Sequence, residues 1–494
     1  RCFLREMGYK VINMNQFFLK SAEELKPRLC IKEISADGKF SLSEGESALF
    51  DFGTHCTGYP KFHFSFSGAY PDAPALVKLR FCETREELNE DTSSYCGWIS
   101  KSWIQEEIFH IDILPCEYVC KRRYAFRYIQ VEAVGLSQKF KLSVSDARAE
   151  TVTSAPEHIA PCGKTDLEKK IDAAALKTLS ECMQTVFEDG PKRDRRLWLG
   201  DLRLQAMTNY CTYAHNDLVK RCLYLFAASA DEDGRIAQSV FTVSDVVGDE
   251  DSLFDYSLLF IATLTDYYEA TGDRQTAEEL FPLAAKPIEI AKRQFDGDVI
   301  QDCERIGWCF LDWSLQLNKQ AGAQAVYIYA EKLLIKLCKY LGRPYQEYEE
   351  DVAAKSRGAI SAFYDGALGL FVSGKDRQIS YATNIWYVLA GVFSQEQNKK
   401  ILRGLQACKD ALIPVTPYLM HHYIQALIDC GLKEDGKKVM LSYWGGMIQS
   451  GADTFWELYN PNNPQETPYG GKAVNSYCHA WSCTPAYFIR KYLL

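Results

Sequence analysis

The chain has 494 residues, of which 47% are apolar and 24% charged; it is globular in composition and too long for one core, so we expect two or three domains. The net charge of −9, with Lys192 to Arg196 as the only dense basic cluster, argues against a nucleic-acid partner and favours a neutral or weakly charged small molecule. The longest apolar run, near Leu258 to Leu264, is too short to span a membrane.

The 18 cysteines are scattered from Cys2 to Cys483, without the short paired spacings of zinc sites or disulfide frameworks. We therefore predict buried, reduced thiols in a cytoplasmic protein that uses no metal and no other cofactor. The sequence starts at Arg1 and has neither an initiating Met nor an apolar stretch of signal-peptide length. It is therefore compatible with a longer protein that has an upstream segment. The sequence is also compatible with a homodimer.

Residues 32–150 alternate apolar and polar side chains with a period of two, as in Phe62, Phe64 and Phe66. Turn residues such as Asp37-Gly38 separate the runs. The pattern predicts an antiparallel β-sandwich over residues 1–150, in which residues 1–31 are ambiguous between an edge strand and a short helix. Residues 151–163, which contain two prolines, are predicted to form a linker.

From Thr165 onward the apolar period changes to 3.6, and Thr165-Asp166 begins the first helix. About a dozen helices in roughly 330 residues favour six helical hairpins closed into an (α/α)6 toroid over residues 164–494, rather than a bundle. After the first, the stretches are predicted at about 201–213, 216–229, 251–271, 276–294, 320–341, 345–364, 380–393, 396–410, 416–431, 435–445 and 474–492. Loops at one end of such a toroid are where we expect a site.

The segment from Asp189 to Asp201 packs three carboxylates, four cationic side chains and Trp198 into one turn-rich stretch. Such a density of charge beside an aromatic is costly to bury except in a polar cleft. A carboxyl group at Asp194, set against an indole, would have the raised pKa that a general acid needs, although the neighbouring arginines oppose this. A solvated charge run remains the alternative, with Asp189 as a turn residue and Asp201 as a helix N-cap.

A second acid, Glu457, follows Phe455-Trp456 and precedes Leu458-Tyr459. An exposed position would leave these aromatic side chains in water, so we expect the segment to line a cleft. Asp312, between Leu311 and Trp313, has the same character. His479 next to Trp481 could contact a sugar hydroxyl or be a structural histidine. His421-His422 lacks an acid at metal-ligand spacing, so we predict no zinc. Two separated acids beside tryptophans suggest a sugar-cleaving site.

These segments together resemble the α-L-rhamnosidases of glycoside hydrolase family 78. Asp189 to Asp201 is similar to the acid-rich signature of the family, and Gly451-Ala-Asp-Thr-Phe-Trp-Glu457 is similar to its base motif. Thr416-Pro-Tyr-Leu and Cys478-His-Ala-Trp481 resemble two helix entries, and Asp51-Phe-Gly, Trp103-Ile-Gln and Arg122 to Tyr128 resemble strands of the preceding β-sandwich. The resemblance covers about residues 45–494.

The resemblance implies that Asp194 is the general acid, that Glu457 is the general base, and that Asp189 and Asp201 contact sugar hydroxyls. One departure stands out: the family's acid is usually Glu, and an Asp at position 194 withdraws the carboxyl group by about 1.5 Å.

We therefore expect inverting hydrolysis of a terminal α-L-rhamnoside or a related sugar. Arg193 and His479 would bind ring hydroxyls, together with Asp312 in the same cleft. Apolar walls would come from Trp198, Trp308, Trp313, Trp456 and Trp481. The alternatives are another toroid carbohydrate enzyme, such as a phosphorylase or a hydrolase of a different glycoside, and a sugar-binding protein with a degenerate site.

Overall fold

The computed structural model describes residues 15–156, 158–301, 309–464 and 466–492. An antiparallel β-region comes first along the chain and a helical region follows, which confirms the predicted architecture.

The β-region is one antiparallel sheet in the order β1-β8-β3-β7-β4-β5, with β2 paired to β8 and β6 paired to β3. Its strands are β1 (Cys30–Ala36), β2 (Phe40–Leu42), β3 (Ser47–Gly68), β4 (Ala75–Cys82), β5 (Glu106–Ile111), β6 (Cys116–Val119), β7 (Tyr124–Gly135) and β8 (Phe140–Thr153).

The long strand β3 changes its pairing partner along its length. It pairs with β7 up to Gly58 and with β8 from Gly58 onward, and its register shifts between Asp51 and Cys56. Gly58 permits the exchange of partners, since a Cβ there would lie 2.2 Å from the carbonyl oxygen of Glu150. The alternating phenylalanines, such as Phe62 and Phe64, lie in one buried core.

The segment before β1 contains helix α1 (Gln16–Glu24), which the side chain of Asn15 caps. Phe18 stacks on Tyr224 of the helical region with ring centroids 5.8 Å apart. Residues 16–36 therefore form a short helix that packs on the helical region and then β1, an edge strand of the sheet.

Twelve helices follow within the described part of the helical region. They are α2 (Asp166–Cys182), α3 (Leu199–Cys211), α4 (Asn216–Ser229), α5 (Phe254–Thr271), α6 (Arg274–Lys292), α7 (Gln320–Leu341), α8 (Gln346–Phe363), α9 (Tyr381–Ala390), α10 (Gln395–Ala407), α11 (Pro417–Asp429), α12 (Lys433–Gln449) and α13 (Pro485–Tyr492). Thr165 and Glu168 form a capping box at the start of α2, as the sequence predicts.

Alternate helices make an inner ring. Helices α3, α5, α7, α9 and α11 contact one another in succession, and α2, α4, α6, α8, α10 and α12 pack against them or their neighbours. Helix α13 closes the ring: its Phe488 contacts His421 of α11, and it packs on α3 and α2. Arg490 Nη2 donates to Asp172 of α2 over 2.9 Å.

Several predicted boundaries differ from the structure by a few residues, and two of them bear on the linker and on the site. Strand β8 continues to Thr153, three residues into the predicted linker. The helix predicted over 474–492 is α-helical only from Pro485, after a 3-10 turn at Ala480–Cys483. Residues 474–479 instead bond to distant loops, as when His479 N donates to the carbonyl oxygen of Phe455 over 2.8 Å.

Candidate active site

A cavity of about 350 Å³ lies among the loops that lead into the inner helices. It is lined by residues from the helical region and by Trp98 to Trp103 of the β-region. Most of the residues predicted for the site line it: Asp189, Arg193, Asp194, Trp198, Asp201, Trp313, Glu457, His479 and Trp481.

Asp189 organises the loop between α2 and α3. Its two carboxylate oxygens accept the backbone N–H groups of Asp194 (3.0 Å) and Arg196 (3.1 Å). Its own carbonyl oxygen accepts the N–H of Ala480 over 2.7 Å. Burial, and then the charge of Asp194, raise the pKa of Asp189 to about 7. Asp189 thus acts as the predicted turn residue and also lines the cavity.

Arg193 lies between the two predicted catalytic acids. Its Nη2 donates to Glu457 Oε2, and its Nη1 lies 3.6 Å from Asp194 Oδ1. Because a guanidinium spans about 2.3 Å between its terminal nitrogens, the nearest oxygens of Asp194 and Glu457 are within about 9 Å of each other. Two acids that are far apart in the sequence therefore meet at one cavity.

Four hydrogen bonds fix the position of Glu457. Tyr469 donates its hydroxyl to Glu457 Oε1, and Arg193 occupies Oε2. The Glu457 N–H donates to the carbonyl oxygen of Ser476 (3.1 Å), and Trp481 Nε1 donates to the Glu457 carbonyl oxygen (3.0 Å). The carboxylate is consequently fixed in position, with lone pairs left for a water molecule.

Asp201 and His479 form a second buried pair. His479 Nε2 lies 3.3 Å from Asp201 Oδ1, and His479 Nδ1 lies 4.0 Å from Glu457 Oε2. Burial opposes a charge on His479, but Glu457 and Asp201 raise its pKa above the ordinary value. Asp201 is in the first turn of α3, whose N-cap position is occupied by Trp198, so the alternative role as N-cap is wrong.

The aromatic wall of the cavity includes residues that sequence reasoning missed. Trp481 stacks on Phe310 (5.6 Å, 29°), and Phe310 meets Trp313 edge-on (5.7 Å, 90°). Phe310, Tyr256, Tyr469, Trp98 and Trp103 also line the cavity. Tyr469 is one of 29 tyrosines, and no local pattern distinguishes it.

Two described residues predicted to bind substrate, Asp312 and Trp456, do not line the cavity. Asp312 accepts the N–H groups of Val415 (2.8 Å) and Thr416 (3.1 Å), so it positions the start of α11. Trp456 packs in the core against Tyr477, with ring centroids 5.3 Å apart. An acid or an aromatic between apolar neighbours can face the core as well as a cleft. Trp308 lies outside the described residues.

Across the residues that the structure describes, no group of three or more His, Cys, Asp or Glu side chains is placed to hold a metal ion. Of the helices described, none combines the length and apolarity needed to cross a membrane.

His421 and His422 are buried among aromatic rings, and burial lowers the pKa of His422 to about 3.

Two acids that line one cavity with aromatic walls suit the cleavage of a glycosidic bond, and the class of protein that this fold and site indicate is a glycoside hydrolase. A family model described as the glycosyl hydrolase family 78 alpha-rhamnosidase N-terminal domain matches residues 20–151. A model of the bacterial alpha-L-rhamnosidase 6 hairpin glycosidase domain matches residues 161–493. The chain belongs to glycoside hydrolase family 78, the α-L-rhamnosidases, which confirms the resemblance.

Solved structures agree with this assignment. The rhamnosidase from Klebsiella oxytoca with rhamnose bound is 42% identical, with a TM-score of 0.95, and the match covers 98% of this chain and 100% of that one. No curated protein matches the chain.

Two more distant structures share the fold. They are the family 78 rhamnosidase of Bacillus sp. GL1 (20% identity, TM-score 0.78, 92% of this chain and 47% of that one) and the Streptomyces avermitilis α-L-rhamnosidase complexed with L-rhamnose (18%, 0.70, 94% and 44%). The chain spans about half the length of these two.

Proposed function

We propose that the protein hydrolyses terminal α-L-rhamnosides with inversion at the anomeric carbon. Asp194 protonates the glycosidic oxygen, and Glu457 deprotonates the water that attacks the opposite face of the ring. The observation that carries the proposal is the Arg193 guanidinium, which contacts both acids at one cavity. The limit of about 9 Å on their separation overlaps the spacing of about 6.5–9.5 Å that inverting glycosidases use.

The burial of the two acids supports these separate roles. The side chain of Glu457 is 3% exposed, whereas that of Asp194 is 19% exposed. The leaving group of a terminal sugar must point to solvent, so the more exposed acid is the one suited to protonate it. The deeper acid is suited to activate a water that is enclosed beneath the sugar.

Neighbouring side chains support binding of the sugar ring. Asp201 and the protonated form of His479 present an acceptor and a donor to ring hydroxyls, while Trp198 and Trp481 offer apolar faces. Rhamnose has both hydroxyl groups and a methyl group, and a cavity with both kinds of wall suits it.

The roles are tested by comparing Asp194→Asn and Glu457→Gln on two rhamnosides. For methyl α-L-rhamnoside, whose leaving group needs protonation, each variant should lose on the order of 10³-fold in kcat. For 4-nitrophenyl α-L-rhamnoside, whose leaving group departs without a proton, Asp194→Asn should lose far less and Glu457→Gln should lose as much as before.

The stereochemistry is measured separately, by following the first product anomer by NMR. β-L-Rhamnose as the first product supports inversion, and α-L-rhamnose would refute it. Equal losses of both variants on both substrates would refute the assignment of acid and base.

The cytoplasmic location and the homodimer stay predictions.

A further inference from the structure

Trp98 is a large aromatic side chain at the rim of the cavity, and it comes from the β-region. It lies in the connection between β4 and β5, lines the cavity, and is 66% exposed. Exposing an indole to water forgoes the free energy gained by burying apolar surface. At the edge of a substrate cavity, such a face is suited to be covered by a ligand.

Contacts with the helical region hold Trp98 in place. Its Nε1 donates to the carbonyl oxygen of Pro468 over 2.7 Å, and the Tyr95 hydroxyl donates to that of Tyr469 over 2.9 Å. Gly97 allows the two segments to approach, since a Cβ there would lie 2.0 Å from the Tyr469 carbonyl oxygen. The indole is therefore presented in a fixed orientation, which reduces the entropy cost of binding.

Trp98 continues an aromatic wall that begins at the predicted base. Tyr469, which donates to Glu457, lies 5.3 Å from Trp98 between ring centroids, and Trp313 lies 6.2 Å from Trp98. The wall thus runs from the buried acid at the bottom of the cavity to the solvent-exposed rim. A substrate whose sugar is seated against Glu457 would place its next group beside Trp98.

We propose that Trp98 forms the subsite for the leaving group and favours rhamnosides whose leaving group presents a flat apolar face. The face can be an aryl ring or the C–H face of a second pyranose, since both stack on an indole. This inference rests on the proposed function, because it takes the sugar bound near Glu457 to be the terminal rhamnose.

The test measures kcat/KM of wild type, Trp98→Ala and Trp98→Phe on three substrates. These are methyl α-L-rhamnoside, 4-nitrophenyl α-L-rhamnoside and α-L-rhamnosyl-(1→6)-glucose. Tyr70→Ala is the matched control, since Tyr70 is another exposed aromatic of the β-region, in contact with Phe66. The inhibition constant of L-rhamnose reports on the sugar pocket alone.

Trp98→Ala should lower kcat/KM about tenfold on the aryl substrate, the disaccharide or both, a loss typical of one aromatic contact. Methyl α-L-rhamnoside and the L-rhamnose inhibition constant should stay within about twofold, and Trp98→Phe should keep most of the activity. The substrate with the larger loss identifies the preferred face.

An equal loss on all three substrates, a changed L-rhamnose constant, or no loss at all would overturn the inference. If wild type hydrolysed none of the three, the proposed function itself would fail, which is a distinguishable result.

Discussion

Arg193 donates to the carboxylate of Glu457, a residue 264 positions further along the chain, and both side chains are buried. Asp194, next to Arg193, is turned toward the same guanidinium. A single cation therefore joins the loop after α2 to the loop after α12 and lies beside one acid of each loop. Breaking a buried ion pair leaves one uncompensated charge, which makes this contact a sensitive point for both stability and activity.

Arg193→Met should lower the free energy of unfolding by about 3–5 kcal/mol and reduce kcat/KM at least about 100-fold, because Glu457 would remain buried without its partner. Urea unfolding and rhamnoside hydrolysis measure the two effects. Arg193→Lys keeps the charge but cannot reach both acids, and it should be intermediate. Wild-type stability in Arg193→Met would contradict the structural role.

Tyr469→Phe removes the hydroxyl that donates to Glu457 Oε1. A hydrogen bond to a charged group contributes about 1.5–3 kcal/mol, so kcat should fall roughly 10- to 100-fold. Tyr443→Phe is the control, since its hydroxyl donates to the carbonyl oxygen of Val415 (3.3 Å) away from the cavity. If both variants lose the same activity, Tyr469 has no special effect on Glu457.

Lys192→Met tests the contact between the two regions. The buried Lys192 ammonium bonds to Glu87 and lies 3.6 Å from Glu83, both in the β-region. Its removal should cost about 3–5 kcal/mol in unfolding free energy, since two carboxylates would lose their cation. Lys139→Met, which breaks the exposed pair with Asp72, should leave stability nearly unchanged. Similar losses in the two variants would refute the argument.

Glu331→Gln tests a buried acid of α7. Burial and the nearby Asp351 raise the pKa of Glu331 from 4.5 to about 9. Between those values the unfolded chain releases the proton and the folded protein keeps it, so wild type loses stability as pH rises, by up to about 1.4 kcal/mol per pH unit. The stability gained by Glu331→Gln over wild type should therefore grow from pH 5.5 to pH 8.5, measured by urea unfolding.

The control for this measurement is Glu350→Gln, since Glu350 is exposed on the next helix, α8. Its difference from wild type should not change with pH. A pH-independent difference for Glu331→Gln as well would show that Glu331 does not stay protonated in the folded protein.

The features that could be predicted from the sequence are those that a local pattern of residues encodes. Thr165 and Glu168 begin α2 by a capping box, and alternating phenylalanines mark β3. Asp194 and Glu457 were predicted through motifs that resemble those of the family, and both line the cavity. Tyr469 and Trp98 were missed because their place at the cavity depends on contacts between distant segments, as between Trp98 and Pro468, 370 residues apart. Asp312 and Trp456 do not line the cavity, because a residue with aromatic neighbours fits the core as well as a cleft.

The closure of the ring by α13 has a consequence for synthesis of the protein. Strands β1 to β8 are contiguous along the chain and can pair soon after they leave the ribosome, whereas Asp172 meets Arg490 only after 318 more residues have been made. Until then, α2 and α3 lack the helix that covers them. The β-region can therefore fold during translation, whereas the ring of helices can close only after α13 has been made.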